Sequence, residues 1–314
     1  MRPGPRTTLF ALAFLTLALS LTTARPAQAA ELRVVTFNVA MNLAFRKPFS
    51  GLIRSTFANN EYLQRFDVIG LQEACQNDRA AIELFRGVMQ RAHGKVHEHL
   101  VLADAKSRES CRKAQVILSR YPIVRSGGIQ LPKIGAWRSA AWVDLQVGAD
   151  TVRVYNLHLS NRHGKDYAPT EGRWQQGKIV LDHWREARRR DPKLKGIVLG
   201  DFNSMNDLWR PSRRELTIAE YSKAMTPNLR RFVPTMFLPY QNDWIFSSGL
   251  KLKRSYVIPT MYSDHFVVMA DYELPQPAVL GRGRPARGLP SPNRGLGGVL
   301  APCSAASGCV ALKK

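Results

Sequence analysis

Six short segments of this chain carry side chains that could do phosphate chemistry. Asn38 follows Thr36-Phe37, and Glu73 follows Gln72. Further on come Asn156-Leu157-His158 and Gly200-Asp201-Phe202-Asn203. Asp243 opens Asp243-Trp244-Ile245-Phe246, and Ser263-Asp264-His265 comes last. Hard divalent cations such as Mg²⁺ take oxygen ligands, often one or two carboxylates together with water and substrate phosphate. In-line attack on a phosphodiester needs an activated water, a clamp on the non-bridging oxygens and help for the leaving oxygen. A His oriented by a carboxylate serves as base, and Asn side chains donate to phosphate. Each segment alone reads as an ordinary cap or turn. Six of them in one chain, each with residue types this chemistry uses, are more than caps and turns require.

Strand ends must position most of these residues. Apolar runs at 32–37, 68–71, 116–118, 197–199, 244–246 and 266–272 read as strands, and 142–147 with 152–157 read as a hairpin around Gly148-Ala149-Asp150. Two helices are predicted between them. Residues 78–92 repeat Ile82, Leu84, Phe85, Val88 and Met89 at helical spacing, and residues 171–190 put Trp174, Lys178, Leu181 and Trp184 on one face. The second ends in Arg188-Arg189-Arg190, where cations suit the helix C-terminus. Many strands, few helices, no linker and no repeat predict one α/β domain with sheets covered by helices.

The motifs, in this order, resemble the endonuclease/exonuclease/phosphatase superfamily, which includes DNase I-like nucleases, abasic-site endonucleases and sphingomyelinases. Ile117-Leu118-Ser119-Arg120-Tyr121-Pro122 joins the six segments, so the resemblance covers nearly all of the body. It implies a four-layer α/β/β/α sandwich of two mainly antiparallel sheets, with the site at one edge where strand ends converge. It implies a divalent cofactor, Mg²⁺ or else Mn²⁺ or Ca²⁺, with Glu73 as the main ligand and Asn38 and Asp264 in or near the metal shell. Asp243 would orient His265, and either His265 or Asp201 would act as base. Asn203 and His158 would stabilise charge on the phosphorus, and Arg138 would contact phosphate. Two departures appear. The partner that DNase I-like enzymes give the His of the Asn-Leu-His segment has only Glu109 as a loose counterpart. Abasic-site enzymes carry Tyr and Asn where this chain has His158, which points to secreted nucleases and phospholipid phosphodiesterases instead.

Both ends stand apart from this body. Residues 1–29 read as a secretory signal: Arg2 and Arg6, an apolar run from Leu9 to Leu21, then Ala27-Gln28-Ala29. Residues 276–314 are rich in Gly and Pro and contain no acid, the pattern of a flexible basic tail. The catalytic domain is therefore expected at 30–275, in a protein exported to the periplasm or the medium. The chain has a formal charge of +22; nine of its 46 basic residues lie in the two ends, so the body keeps 37 bases against all 24 acids. Such a body suits polyanionic partners, nucleic acid or an anionic membrane surface. No protein partner is implied, and a monomer is expected. The even cysteine count fits export, with Cys75 pairing Cys111 and Cys303 pairing Cys309; the alternative is free buried thiols.

Three readings follow. A secreted nuclease, an endonuclease on DNA or RNA, would use Arg46, Lys47 and Arg54 after Asn38 for phosphate contacts. A sphingomyelinase-like phosphodiesterase would dip the apolar stretch 232–240 into a bilayer, so the exposure of Phe237 and Leu238 separates the two. A non-catalytic basic nucleic-acid-binding protein would need a decayed site, against which the full motif set argues. Charge favours nucleic acid.

Overall fold

The computed structural model describes residues 31–40, 65–104, 111–161, 168–204, 215–229, 232–237 and 240–274. The expected signal, the tail with Cys303 and Cys309, and Arg46, Lys47, Arg54, Glu109 and Leu238 lie outside these residues.

Two six-stranded sheets form the body. One runs β11 (Lys251–Ile258), β12 (Val267–Glu273), β1 (Glu31–Asn38), β2 (Val68–Cys75), β4 (Lys113–Ser119) and β3 (His97–Leu102). The other runs β5 (Ile123–Ile134), β6 (Ala136–Val147), β7 (Asp150–His158), β8 (Lys195–Asp201), β10 (Asp243–Ser248) and β9 (Thr226–Pro227). Each sheet is antiparallel except for one central parallel pair, β1 with β2 and β7 with β8. Parallel pairing brings like ends together, so Asn38 partners Gln72 and His158 partners Asp201. These are the ends on which the motif residues fall.

Three apolar clusters separate four layers, as expected. Val34, Val68, Ile117, Val143, Val154, Leu199 and Ile245 fill the space between the sheets. Helix α1 (Ala80–His93) covers the outer face of the first sheet with Ile82, Phe85, Val88 and Met89. Helices α2 (Thr170–Arg190) and α3 (Leu216–Ala224) cover the second with Val180, Leu181, Trp184, Ile218 and Tyr221. One expectation is corrected here. Lys178 is exposed and pairs with Asp182, while Gly172, Arg173, Gln176 and Gly177 join Leu181 and Trp184 on the buried face. The apolar pattern points slightly off that face, because glycines, Gln176 and Arg173, not large apolar residues, fill half of it.

Polar groups also clamp the sheets together. Asn156 on β7 reaches across to donate to the Leu71 and Val116 carbonyls at 2.8 and 2.9 Å, and accepts from Gln72 at 2.6 Å. Gly70 makes room for this crossing: a Cβ there would sit 2.2 Å from Leu199 Cδ1 and 2.9 Å from Asn156 Cγ. Asn156 is therefore a structural bridge, although it sits in a motif that reads as catalytic.

Candidate active site

Seven loops and strand ends converge on a cleft of about 660 Å³. Asn38, Glu73, Asp201, Asn203, Asp264 and His265 line it, together with Lys113, Asn161 and an apolar lip of Met236, Phe237, Met261 and Tyr262. Six of the eight catalytic and metal residues named from the sequence thus share one cavity wall. The other two, Asp243 and His158, are buried beside it.

The floor is a chain of titratable groups. Asp243 Oδ2 lies 2.9 Å from His265 Nδ1, and His265 Nε2 faces Asp201 Oδ2 at 3.7 Å. That same Asp201 oxygen accepts from Asn38 Nδ2 at 3.1 Å and lies 3.4 Å from His158 Nε2, while Oδ1 accepts the Asn203 N–H at 2.9 Å. Burial disfavours charge on His265, but the Asp243 and Asp201 carboxylates outweigh it and raise its pKa. Burial raises Asp201, partly opposed by the attraction of His265. Burial, with the nearby cations Arg138 and Lys113, holds His158 well below the ordinary imidazole value, so it is neutral.

Local backbone explains how these groups face one cavity. Gly200 has φ +141°, and a Cβ there would meet the Leu157 carbonyl at 2.0 Å, so only glycine lets β8 bring Asp201 beside His158. The non-glycine residues at positive φ among the described residues are Ala40, Glu73 and Asn203, and all three line the cleft. Such conformations persist only where the surroundings impose them. For Glu73 the surroundings are a β-bulge: the β2–β4 register shifts between Leu71 and Ala74, and the strand continues to Cys75. Glu73 therefore does not close the strand, as its sequence position suggests, but is pushed out of it.

Two residues missed in the sequence hold the site together. Thr235, read there only as part of an apolar stretch, is buried. Its hydroxyl accepts the N–H groups of Asn242 and Asp243, and its carbonyl accepts that of Phe266. It thereby fixes the Asp243 strand against the His265 loop. Lys113 lies 3.2 Å from Glu73 Oε2, a contact made across β2 and β4 that no local pattern signals.

Arg138, expected to contact phosphate, is 3% exposed, donates to the Leu159 carbonyl and Asn161 Oδ1, and is not among the residues lining the cleft. Its fork is engaged in holding the loop that carries Asn161. Arg46 and Lys47 lie outside the described residues. Cys75 and Cys111 form a disulfide with Cα atoms 5.0 Å apart, which joins the end of β2 to the approach to β4.

The donor set fits a hard divalent cation. Glu73, Asp201 and Asp264 present carboxylates to one cleft, with Lys113 as its single lysine or arginine among the described lining residues. Asp243 Oδ1 and His158 Nε2 are buried without a hydrogen-bond partner among the described residues. Asp201, Asp243 and His265 also bring one donor atom each within 4.8 Å of one another. Asp243 and His265 already bond each other, which suits proton handling better than ligation; Glu73, Asp264 and Asn38 line the cleft, the Asn38 oxygen also accepting the Ala40 N–H at 3.0 Å.

A profile of the endonuclease/exonuclease/phosphatase family matches residues 35–265. The chain belongs to that family. A search of curated proteins finds no match. Solved structures of the family share its fold. An endonuclease/exonuclease/phosphatase from Beutenbergia cavernae is 20% identical, with a TM-score of 0.56 over 79% of this chain and 72% of that one. The catalytic domain of human nocturnin with bound sulfate is 18% identical, TM-score 0.57, covering 77% and 94%. A mannosyl-6-phosphatase from Bacteroides thetaiotaomicron is 17% identical, TM-score 0.53, covering 77% and 100%. As a family member the chain has a phosphoester-hydrolase fold, and its acidic, His-containing cleft agrees with the divalent-metal dependence general to the family.

Proposed function

We propose that the protein is an exported, divalent-metal-dependent phosphodiesterase acting on nucleic acid. The observation that carries this is the Asp243–His265–Asp201 chain on the floor of a cleft walled by Glu73 and Asp264. Glu73, Asp264 and Asn38 would hold the ion, which supplies positive charge to a phosphoryl oxygen. Asp243 fixes the imidazole so that Nε2 points toward Asp201 and the cleft. The proton leaving the attacking water is taken up within the Asp201–His265 pair. Asn203 carries an amide at the lip, oriented by the Leu159 carbonyl at 3.0 Å and by Asn161. Asn38 donates to the Asp201 carboxylate from behind, and neutral His158 lies beside it at 3.4 Å.

Nucleic acid is favoured because the body carries the excess of base over acid described above, which supplies sequence-independent affinity through phosphate contacts. The exposure of Phe237, by contrast, counts toward the phospholipid reading. Phe237 is 55% exposed and leans edge-to-face on Phe266 at 5.4 Å.

A second reading has its own support. Met261 is 82% exposed next to Phe237, an apolar lip that suits a bilayer surface and a phospholipid substrate. One experiment separates the two. Purified protein is assayed with Mg²⁺ on plasmid DNA, RNA and sphingomyelin vesicles, with His265→Ala as control. Cleavage of lipid alone rejects the nuclease, and equal turnover by the control rejects the site.

A further inference from the structure

Lys113 belongs to none of the motifs, yet it occupies the place where a phosphate-binding cation is needed. The cleft wall presents Glu73, Asp201 and Asp264, so a phosphodiester approaching it meets carboxylates on several sides. Arg138 is not among the residues lining the cleft and bonds Leu159 and Asn161. Lys113 lines the cleft, with its ammonium 3.2 Å from Glu73 Oε2 and its side chain about one-quarter exposed.

The backbone around Lys113 is unusually well secured for a strand opening. Cys75 is its ladder partner on β2, and Cys75 is bonded to Cys111, two residues before it. Gln76 donates its N–H to the Arg112 carbonyl at 2.9 Å, and Asn77 Oδ1 accepts the Arg112 N–H at 3.0 Å. On the other side, Ala103 donates to the Lys113 carbonyl at 2.9 Å. Glu73, two residues before Cys75, leaves the strand through the bulge at φ +55° and meets Lys113 across the ladder. The disulfide therefore fixes a carboxylate and an ammonium in one unit. A lysine is a compact point charge on a flexible stem, able to move from a carboxylate to a phosphate oxygen without rearranging the backbone.

We propose that Lys113 is a further substrate-contacting residue, binding a non-bridging phosphate oxygen when an ion has taken Glu73, and that the Cys75–Cys111 disulfide is its positioning device. This rests on the phosphodiesterase reading above. The charge-assisted contact is made to the phosphate group itself, so it applies to any phosphodiester presented to the cleft.

The test compares wild type, Lys113→Met, Lys113→Arg and His265→Ala, all with the disulfide intact. Turnover of bis(p-nitrophenyl) phosphate is measured with saturating Mn²⁺, inorganic phosphate binding to the Mn²⁺-loaded protein by calorimetry, and Mn²⁺ affinity by thermal shift. Loss of a hydrogen bond to a charged group predicts that Lys113→Met raises both KM and the phosphate Kd by roughly tenfold or more. Lys113→Arg is expected to recover most of that, and Mn²⁺ affinity to be equal or tighter in Lys113→Met, since a competing cation is gone. Unchanged KM and phosphate Kd in Lys113→Met overturn the proposal. So does weakened Mn²⁺ affinity accompanying the loss, which marks a role through Glu73 alone. If His265→Ala turns over like wild type, the phosphodiesterase reading of the site fails instead, while the calorimetry still reads Lys113.

Discussion

Asp243 Oδ2 lies 2.9 Å from His265 Nδ1, so a fully buried carboxylate decides which nitrogen of the imidazole faces the cleft. Replacing Asp243 by Asn keeps the shape but removes the charge and the acceptor geometry that fix the ring. An orienting carboxylate of this kind is worth about 10⁴-fold in kcat in a serine-protease triad. We expect a loss of that order in Asp243→Asn, with the far-ultraviolet circular dichroism of wild type. Turnover within a few-fold of wild type would show that the pair is structural.

Asn156 predicts the opposite separation. Its amide satisfies the buried Leu71 and Val116 carbonyls and accepts from Gln72, without touching the cleft. Asn156→Ala leaves these groups unpaired between the sheets, at about 1–3 kcal/mol for each unsatisfied buried group. Urea denaturation should show the loss, whereas kcat of the fraction that remains folded should change little. A large fall in kcat without loss of stability would place Asn156 in the catalytic set instead.

Asp67 carries a pH signature far from the cleft. Burial raises its pKa to about 6, against the pull of its Arg33 N–H hydrogen bond and of Arg120 at 2.6 Å. The folded chain then holds this proton more tightly than the unfolded chain, so the group's stabilising contribution is complete below the unfolded value near 3.8 and is lost as pH rises through 6. At 1.36 kcal/mol per pH unit, this is on the order of 3 kcal/mol. Melting of wild type against Asp67→Asn at pH 4 and pH 7 checks it. The wild type should gain on the variant toward low pH, and a constant difference between them would refute the raised value.

The disulfide makes a prediction separable into two parts. Closing a loop of sequence separation 36 is worth about 4 kcal/mol in the chain-entropy account, so Cys75→Ala/Cys111→Ala should melt well below wild type. Because Glu73 and Lys113 flank the bond, the double variant should also need more Mn²⁺ for half-maximal activity at a temperature where it is fully folded. An unchanged metal requirement would confine the bond to stability.

How much of this was legible in the sequence depends on what kind of contact fixed each feature. Inner strands such as β1, β2 and β8 are covered on both faces, so they appear as apolar runs. Edge strands do not: β11 carries Lys251, Lys253 and Arg254 outward, β3 opens on His97-Glu98-His99, and β5 runs through Gly127-Gly128 and Pro132. A strand bonded on one side is commonly guarded by charge, and that charge erases the pattern by which strands are found. α3 was missed because it is short, with only Thr217, Ile218 and Tyr221 buried. At the site, residues on motifs were found, since their types announce the chemistry. Glu73 on its bulge, the Thr235 hub and Lys113 were not understood, because each is defined by register between strands far apart in sequence. The bonds of Arg138 to Leu159 and Asn161 were hidden for the same reason.

The left-handed backbone at Ala40, Glu73 and Asn203 has a consequence for anyone improving this protein. A side chain in that conformation costs about 1–2 kcal/mol relative to glycine. Asn203 adopts that region readily and its amide is bonded to Leu159 and Asn161, but selection for heat tolerance alone would favour glycine at Ala40 and Glu73, and at position 73 it would delete the carboxylate. Engineering campaigns should score turnover in every round, since the most robust clones from a thermal screen are the ones expected to have stopped working.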